Sequence, residues 1–220
     1  LSCLTMTGCS ALNFSVEGLI NAPKLTSEQS EIHQALIESV GSNITLKYPK
    51  NGEYRSAYVI ANIDDEPTDE AMVFYEYTSN GSEEDGLRVN ILDKDDKWYS
   101  VKELAGAGTD IDQVIISPMG SNNQTDVFVG YQNLTNDEKT MEIYSYTDGD
   151  FKRVALDTYS VLEPLDINND GYIELITIQR STNNDTGAVT AKASMLNMKN
   201  NEITRGENVD MCDNVTSYVS

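Results

Sequence analysis

The chain has few of the residues that most enzyme active sites use. Its 220 residues include a single histidine, His33, and three cysteines. No nucleophile suited to Ser-His-Asp or Cys-His catalysis has a base beside it, and the usual zinc ligand sets cannot be assembled. The sequence contains no GxxxxGKS/T phosphate loop, and Gly106-Ala107-Gly108 lacks the rest of a dinucleotide-binding fingerprint. These absences argue against nucleophilic, zinc-dependent and nucleotide-dependent enzymes.

Long apolar runs and basic residues are also scarce. No stretch of about 18 apolar residues occurs, so the sequence predicts no membrane-spanning helix. Lys and Arg number 15 against 36 Asp and Glu, which gives a formal net charge of −21. Because this charge repels phosphates, we expect neither nucleic acid nor an anionic membrane surface as a partner. We interpret the acidic residues as a solvated surface with ion-binding loops.

The strongest motif is the loop sequence DINNDGYIE, which starts at Asp166. Alternate residues of a turning loop can direct their oxygens inward, and calcium takes about six to eight oxygen ligands. Gly171 permits the sharp turn. The sequence therefore predicts a calcium site, with one backbone carbonyl filling the gap between two side chains. The predicted ligands are Asp166, Asn168, Asp170, Tyr172 through its carbonyl, and Glu174.

The residues after this loop exclude an EF-hand, which needs a bidentate Glu at position twelve. Position twelve is Thr177, and the run from Leu175 to Ile178 is β-branched and apolar, which indicates a strand. A strand, loop and strand of this kind resembles the FG-GAP and VCBS repeats of integrin-α-like β-propellers, whose loops read Asp-x-Asn/Asp-x-Asp-Gly-x-x-Asp. The resemblance implies calcium in the loops and a role in binding or adhesion.

Two further copies of the loop support a repeating fold. The copy that starts at residue 62 predicts a weaker calcium site, because Pro67 stands where Gly is usual. Its predicted ligands are Asn62, Asp64, Glu66 and Glu70. The copy from Pro118 to Val127 keeps oxygen side chains at positions five and nine but has lost those at one and three. We expect this copy to bind no ion.

Predicted strands flank each loop and define the fold class. Each unit has one strand before the loop, one after it, a third ending at a polar turn, and a fourth opening on a bulky residue such as Trp98 or Phe151. We therefore predict an all-β, β-propeller-like array of four-stranded blades. The predicted units are residues 43–99 or 43–104, 105–156, 157–207 and a partial fourth unit, 208–220. Because a propeller needs about four blades to close, we expect a fragment, with an open arc or closure through the terminal strands as alternatives.

One helix is predicted ahead of these units, over residues 26–41. Thr26 and Gln29 form a capping-box pattern, Gly41 ends the helix, and one apolar stripe runs between them. The stripe consists of Ile32, Leu36, Ile37 and Val40. A helix this short needs a surface to pack on, so we expect it to cover a face or edge of the first blade. We interpret His33, beside the stripe, as a packing or surface residue.

The N-terminus resembles the end of a bacterial lipoprotein signal. In the stretch from Leu4 to Ser10, Gly8 precedes Cys9, although Met6 stands where Leu is more usual. The resemblance implies that residues 1–8 are a signal-peptide remnant, that Cys9 carries lipid, and that residues 9–25 are a tether. We therefore expect a lipid-anchored protein on the extracytoplasmic face of a bacterial membrane. No disulfide framework is evident, and we interpret Cys212 as a small buried residue.

These patterns predict a non-catalytic surface lipoprotein whose calcium-braced blades bind a protein or glycan ligand. The alternative is part of an envelope enzyme acting on glycans, because catalytic carboxylate pairs are recognised by geometry and not by spacing. Strand aromatics could stack on a ligand, but their alternation with polar residues favours packing. These aromatics are Tyr75, Tyr77, Trp98, Tyr99, Tyr131, Tyr144 and Tyr146.

Overall fold

A computed structural model describes residues 25–64, 66–78, 86–119, 124–133, 138–183, 185–199 and 202–213. Several predicted features lie outside these ranges. They are the signal-peptide remnant, Cys9, nearly all of the tether, the middle of the second loop (120–123) and residues 214–220.

The described chain forms one helix followed by strands. In chain order the elements are α1 (Ser27–Val40), β1 (Ile44–Leu46), β2 (Tyr58–Ala61), β3 (Glu70–Tyr77), β4 (Leu87–Lys94), β5 (Trp98–Ala105), β6 (Asp110–Ser117), β7 (Asp126–Gln132), β8 (Lys139–Thr147), β9 (Asp150–Tyr159), β10 (Val161–Leu165), β11 (Glu174–Thr182), β12 (Val189–Lys199), β13 (Glu202–Arg205) and β14 (Val209–Asp213). The predicted all-β class with a single short helix is confirmed for these residues.

The strands form three antiparallel sheets. The first sheet has the order β1-β3-β4-β5, with β2 also pairing with β3. The second sheet is β6-β7-β8-β9, and the third is β10-β11-β12-β13, with β14 also on β12. Each sheet is therefore an antiparallel meander with four strand positions, and none of the three closes into a barrel within the described residues. The strand β1 lies along the second half of β3, where Ile44 pairs with Tyr77.

The last strand position of the third sheet is shared by two segments. Arg205 of β13 pairs with Leu196, and Val209 of β14 pairs with Ala193. Between them Gly206 N donates to Met195 O at 2.8 Å, so the two segments form one edge interrupted by a bulge. Residues 209–213, which the sequence assigns to a partial fourth unit, thus complete the third sheet.

The helix and the three sheets are stacked in four successive layers. Adjacent residues of β3 point to opposite sides, so Val73 packs against the helix while Phe74 packs against the second sheet. In β7, Val129 likewise faces the first sheet and Phe128 the third. The central strands are therefore buried on both faces, and each inter-layer space is a separate apolar cluster.

Equivalent positions of the three sheets carry equivalent roles. The bulky residue that opens the fourth strand packs in an inter-layer cluster in each case: Trp98, Phe151 and Ile203. The second and third strands also keep one register, with Val73 opposite Asn90, Val129 opposite Glu142, and Thr177 opposite Ser194. The three sheets are therefore structural repeats.

The helix is capped and packed as predicted. Thr26 N donates to Gln29 Oε1 and Gln29 N donates to Thr26 Oγ1, both at 3.1 Å, which completes the capping box. Ile32 and Leu36 are fully buried against the first sheet. His33 is half-buried, and its Nδ1 lies 2.8 Å from the hydroxyl of Tyr58. The histidine therefore helps to dock the helix, in agreement with its interpretation as a packing residue.

A buried polar network holds the segment between β1 and β2 against the second sheet. The carboxylate of Asp112 is 1% exposed and accepts hydrogen bonds from Asn51 Nδ2 at 2.8 Å and Tyr159 Oη at 2.7 Å. Lys139 Nζ lies 2.8 Å from the same carboxylate. Because every polar group is paired, this charge is tolerated in the interior. Tyr159 reaches Asp112 by crossing β7 at Gly130, where a Cβ atom would overlap the tyrosine hydroxyl.

We predict that Gly130→Ala lowers the free energy of unfolding by about 1–3 kcal/mol, the usual cost of overpacking a filled core. Urea denaturation measures the change. The double variant Gly130→Ala/Tyr159→Phe should lose less than the sum of the two single variants, because the overlapping hydroxyl is gone. Strict additivity would show that the two side chains do not meet.

Candidate metal-binding loops

The three predicted loops occupy the same joint of the three sheets. They connect β2 to β3, β6 to β7 and β10 to β11, and the acid at position nine is the first residue of the second strand each time. These acids are Glu70, Asp126 and Glu174. The repeat inferred from sequence is therefore a repeat in space, with all three loops at equivalent positions.

One hydrogen bond recurs in all three loops. The position-nine carboxylate accepts from the backbone N–H of position two, over a separation of seven residues. The bonds are Ile63 N to Glu70 Oε2 at 2.8 Å, Met119 N to Asp126 Oδ2 at 3.1 Å, and Ile167 N to Glu174 Oε2 at 2.9 Å. We call this bond the loop clamp. The sequence interpretation took position nine as a metal ligand and missed this role, although its persistence in the degenerate second loop was a signal.

The third loop turns its side-chain oxygens toward its own backbone. Asp166 accepts from Asp170 N and Gly171 N, both at 3.1 Å. Asn168 Oδ1 accepts from Asp170 N at 2.9 Å, and Asp170 Oδ1 accepts from Tyr172 N at 2.9 Å. Positive φ angles at Asn169 (58°) and Gly171 (88°) make the turn. Positions one, three and five thus form one compact polar loop.

The donor chemistry of this loop fits a hard cation, because its side chains present carboxylate and amide oxygens. Glu174 contributes both oxygens to the loop, Oε2 through the clamp and Oε1 through a 3.2 Å bond from Asn168 Nδ2. Within the described part of the chain, no three His, Cys, Asp or Glu side chains are grouped to hold a metal ion. The structure therefore places the predicted ligands in one loop. Their side-chain oxygens accept hydrogen bonds from backbone and side-chain amide N–H groups.

The first loop also turns its predicted ligands toward its own backbone, but its position-one side chain donates instead of accepting. Asn62 Nδ2 donates to the carbonyl oxygens of Glu66 and Thr68, and Asp64 Oδ1 accepts from Glu66 N at 2.7 Å. Its clamp residue differs from the other two, because Glu70 is 3% exposed and its Oε1 has no hydrogen-bond partner among the described residues. The described part of this loop therefore contains a buried carboxylate oxygen that accepts no hydrogen bond.

The surroundings of Glu70 disfavour its charge. Burial raises the pKa of Glu70 to about 7, and the negative charges of Asp64 and Asp93 act in the same direction. The clamp bond from Ile63 N acts in the opposite direction and is outweighed. Glu70 is thus a carboxylate that a neighbouring cation would stabilise.

The second loop satisfies its buried acid within the protein. Asp126 is fully buried, and its Oδ1 accepts from Ser145 Oγ while its Oδ2 forms the clamp. Burial raises the pKa of Asp126, and these two hydrogen bonds limit the rise. The loop is also joined to the third loop, since Ile173 N donates to Pro118 O at 3.1 Å.

A cleft of about 180 Å³ lies beside the first loop, between the first and second sheets. It is lined by Ile63, Asp64, Glu66, Glu70, Ile91, Asp93, Val101, Lys102, Tyr146, Gly149, Asp150 and Phe151. The sequence interpretation did not identify it. No local pattern could have done so, because its walls come from segments that only packing brings together.

Most of the strand aromatics pack in the apolar clusters between the layers. Tyr75, Trp98, Tyr131 and Tyr144 are buried, and Tyr77 and Tyr146 are partly buried against the same clusters. For these residues the packing interpretation is confirmed. Tyr99 is 40% exposed, and its hydroxyl donates to Asp93 Oδ2 at 2.7 Å.

No protein-family model, curated protein or solved structure matches the chain. Among the described residues, no helix has the length and apolar character needed to cross a membrane.

We predict that the loop clamp contributes most to the free energy of unfolding in the second loop, where it is most buried. Asp126→Ala would leave the Met119 N–H and the Ser145 hydroxyl without acceptors, at about 1–3 kcal/mol for each buried donor. Asp126→Asn keeps one carbonyl oxygen and should cost less. Glu174→Ala, in the more exposed third loop, should also cost less. Chemical denaturation measures all three, and an Asp126→Ala protein as stable as wild type would contradict the clamp's role.

Glu70 should give stability a specific pH dependence. Its folded pKa of about 7 exceeds the ordinary value of 4.5, so the folded state keeps a proton that the unfolded chain releases between these values. The stability contribution of Glu70 is therefore complete below about pH 4.5 and is lost as pH rises through about 7. The Glu70→Gln variant does not lose this stability. The difference between its melting temperature and that of wild type should therefore increase by a few degrees between about pH 4.5 and pH 7. Glu163→Gln, an exposed acid on β10, should show a constant difference.

Proposed function

We propose that this chain is a β-propeller-type binding module of a lipid-anchored bacterial envelope protein, with no catalytic activity of its own. In this proposal the three sheets are FG-GAP-like or VCBS-like blades, and calcium braces the loop of the third blade. The observation that carries the proposal is the loop clamp, because the same bond occurs at the same joint of three successive sheets that are packed face to face.

The packing of the sheets supports the blade interpretation. Each sheet has four antiparallel strand positions, and neighbouring sheets meet through apolar faces and not through paired edges. This arrangement is typical of propeller blades. The single helix covers the outer face of the first sheet, which would otherwise be exposed.

Calcium would be held in the third loop by Asp166, Asn168, Asp170, Glu174 and the carbonyl of Tyr172. When bound, the ion would supply charge neutralisation and a rigid turn. The asymmetry among the loops agrees with this choice, since the second loop has Pro118 at position one and satisfies its acid internally. The first loop keeps its oxygens but uses its Asn62 amide as a donor to backbone carbonyls. We therefore assign it a weaker calcium site.

The envelope location rests on the N-terminal sequence. Gly8-Cys9 follows the pattern of a lipidation site, and the acidic chain is expected to contact the membrane only through that anchor. A tether to residue 25 would hold the sheets away from the lipid, where a protein or glycan ligand can reach them.

Calcium should raise the melting temperature of the wild-type protein, and chelation should reverse the rise. An ion that binds only the folded state adds about 2.7 kcal/mol when its concentration is 100 times the dissociation constant. Asp166→Asn should remove most of the effect, because it takes one charge from the predicted ligand set.

Asp185→Asn is the matched control for this experiment, since it removes one exposed acid from a turn outside the loops. It should respond to calcium like wild type. Asp64→Asn tests the weaker site and should remove only a later phase of the titration. An equal response of wild type and Asp166→Asn, or no response in either, would contradict the assignment.

A further inference from the structure

The cleft beside the first loop has one acidic wall. Four of its lining carboxylates come from the first sheet and its loop: Asp64, Glu66, Glu70 and Asp93. The one basic residue in the lining, Lys102, is already engaged, since its Nζ lies 2.6 Å from Asp150 Oδ1 and donates to Phe151 O at 2.7 Å. The described lining therefore has an excess of negative charge on the wall that the first sheet provides.

Strand pairing explains why one of these carboxylates lacks a donor. In the second sheet Val127 pairs with Tyr144, and the next pair across is Asp126 with Ser145, whose hydroxyl donates to the acid. In the first sheet Ala71 pairs with Leu92, so the residue after Leu92, Asp93, takes the place of that serine. An acid cannot donate as the serine does. Among the described residues, Glu70 Oε1 is consequently left without a hydrogen-bond partner although Glu70 is 3% exposed.

Four of the other lining residues are apolar and suit a ligand with a carbon stem. Ile63, Ile91, Val101 and Phe151 border the same space. A metal ion held by the first loop would gain nothing from these apolar walls, because hard cations need oxygen ligands. An aliphatic chain ending in an ammonium group fits both parts, with its stem on the apolar wall and its charge at the acids. A volume near 150 Å³ accepts a molecule as large as benzene, so about 180 Å³ suffices for such a stem.

We infer that this cleft binds an alkylammonium group, with Glu70 Oε1 as its hydrogen-bond acceptor and Asp64 and Asp93 as neighbouring counter-charges. The group can belong to a lysine side chain of a partner protein or to a free aliphatic diamine. The inference rests on the proposed binding function, for which it supplies a ligand class. Asp64 and Glu70 also belong to the weaker calcium site proposed for the first loop, so calcium and the amine would compete there, and the test is made without calcium.

The test is calorimetric titration of the whole protein at pH 7.5 with chelator present. The probes are Nα-acetyl-lysine-N-methylamide and 1,5-diaminopentane, with 1-pentanol and ammonium chloride as controls that lack the charge or the stem. We expect both amines to bind and neither control to do so. Tighter binding of the lysine derivative would assign the ligand to a protein, and tighter binding of the diamine would assign it to a free amine.

Glu70→Gln is the decisive variant. A glutamine keeps the oxygen that the clamp needs and places an amide donor where the acceptor was, so amine affinity should fall at least tenfold while the protein stays folded. Glu163→Gln removes an exposed acid elsewhere and should bind like wild type. Val101→Lys, at a rim position that is 51% exposed, should weaken amine binding by placing a competing ammonium in the cleft.

Two results would overturn the inference: no amine binding at millimolar concentration, or equal binding by wild type and Glu70→Gln. The calcium melting experiment fails or succeeds separately. Amine binding without a calcium response would contradict only the calcium assignment. A calcium response without amine binding would contradict only the inference that the cleft binds an amine.

Discussion

The loop clamp is the constraint on which the three sheets depend. In each sheet it fixes where the first strand stops and the second begins, by tying position nine to position two. A slip of one residue would exchange the two faces of the second strand. That exchange would be costly in β3, where Val73 packs on the helix and Phe74 on the second sheet. A local hydrogen bond therefore sets the register that both inter-layer clusters require.

Only some of the acidic side chains are paired with Lys or Arg, and this follows from the composition. The chain has 15 basic residues for 36 acids, and two of the described bases, Lys139 and Arg153, pair with acids that are 1% exposed. Lys139 is paired with Asp112, and Arg205 of the third sheet reaches Asp157 of the second at 2.6 Å. Glu70 and Asp126 are both buried without an ion pair among the described residues, but both oxygens of Asp126 accept hydrogen bonds and Glu70 Oε1 accepts none. Among the described buried acids, the one that lacks both a base and a donor for its second oxygen is Glu70, which lies at the cleft.

The strand pattern was accessible from sequence because the loops, turns and alternating residues are local signals. The capping box at Thr26 and the bulky residues Trp98 and Phe151 were likewise found in their predicted places. Contacts between layers were not accessible. The need for Gly130 arises only when Tyr159 crosses β7, and the pairing of residues 209–213 with β12 depends on a bulge. The three loops could be recognised, but the clamp could not be distinguished from a metal ligand by spacing alone, because both need an oxygen at position nine.

The three clamp residues share one hydrogen bond and differ in what their second oxygen does. Glu174 Oε1 accepts from the side-chain amide of its own loop, and Asp126 Oδ1 accepts from Ser145 on the neighbouring strand. Glu70 Oε1 has neither, because Asp93 takes the position of that serine. One oxygen of the position-nine carboxylate thus forms the loop clamp in all three repeats, while the hydrogen bonding of the other oxygen differs between them. Glu70 lies across from Asp93 and has Asp64 at position three of its loop, so neither position supplies the donor that Ser145 or Asn168 supplies elsewhere, and a cation in the cleft would take that place.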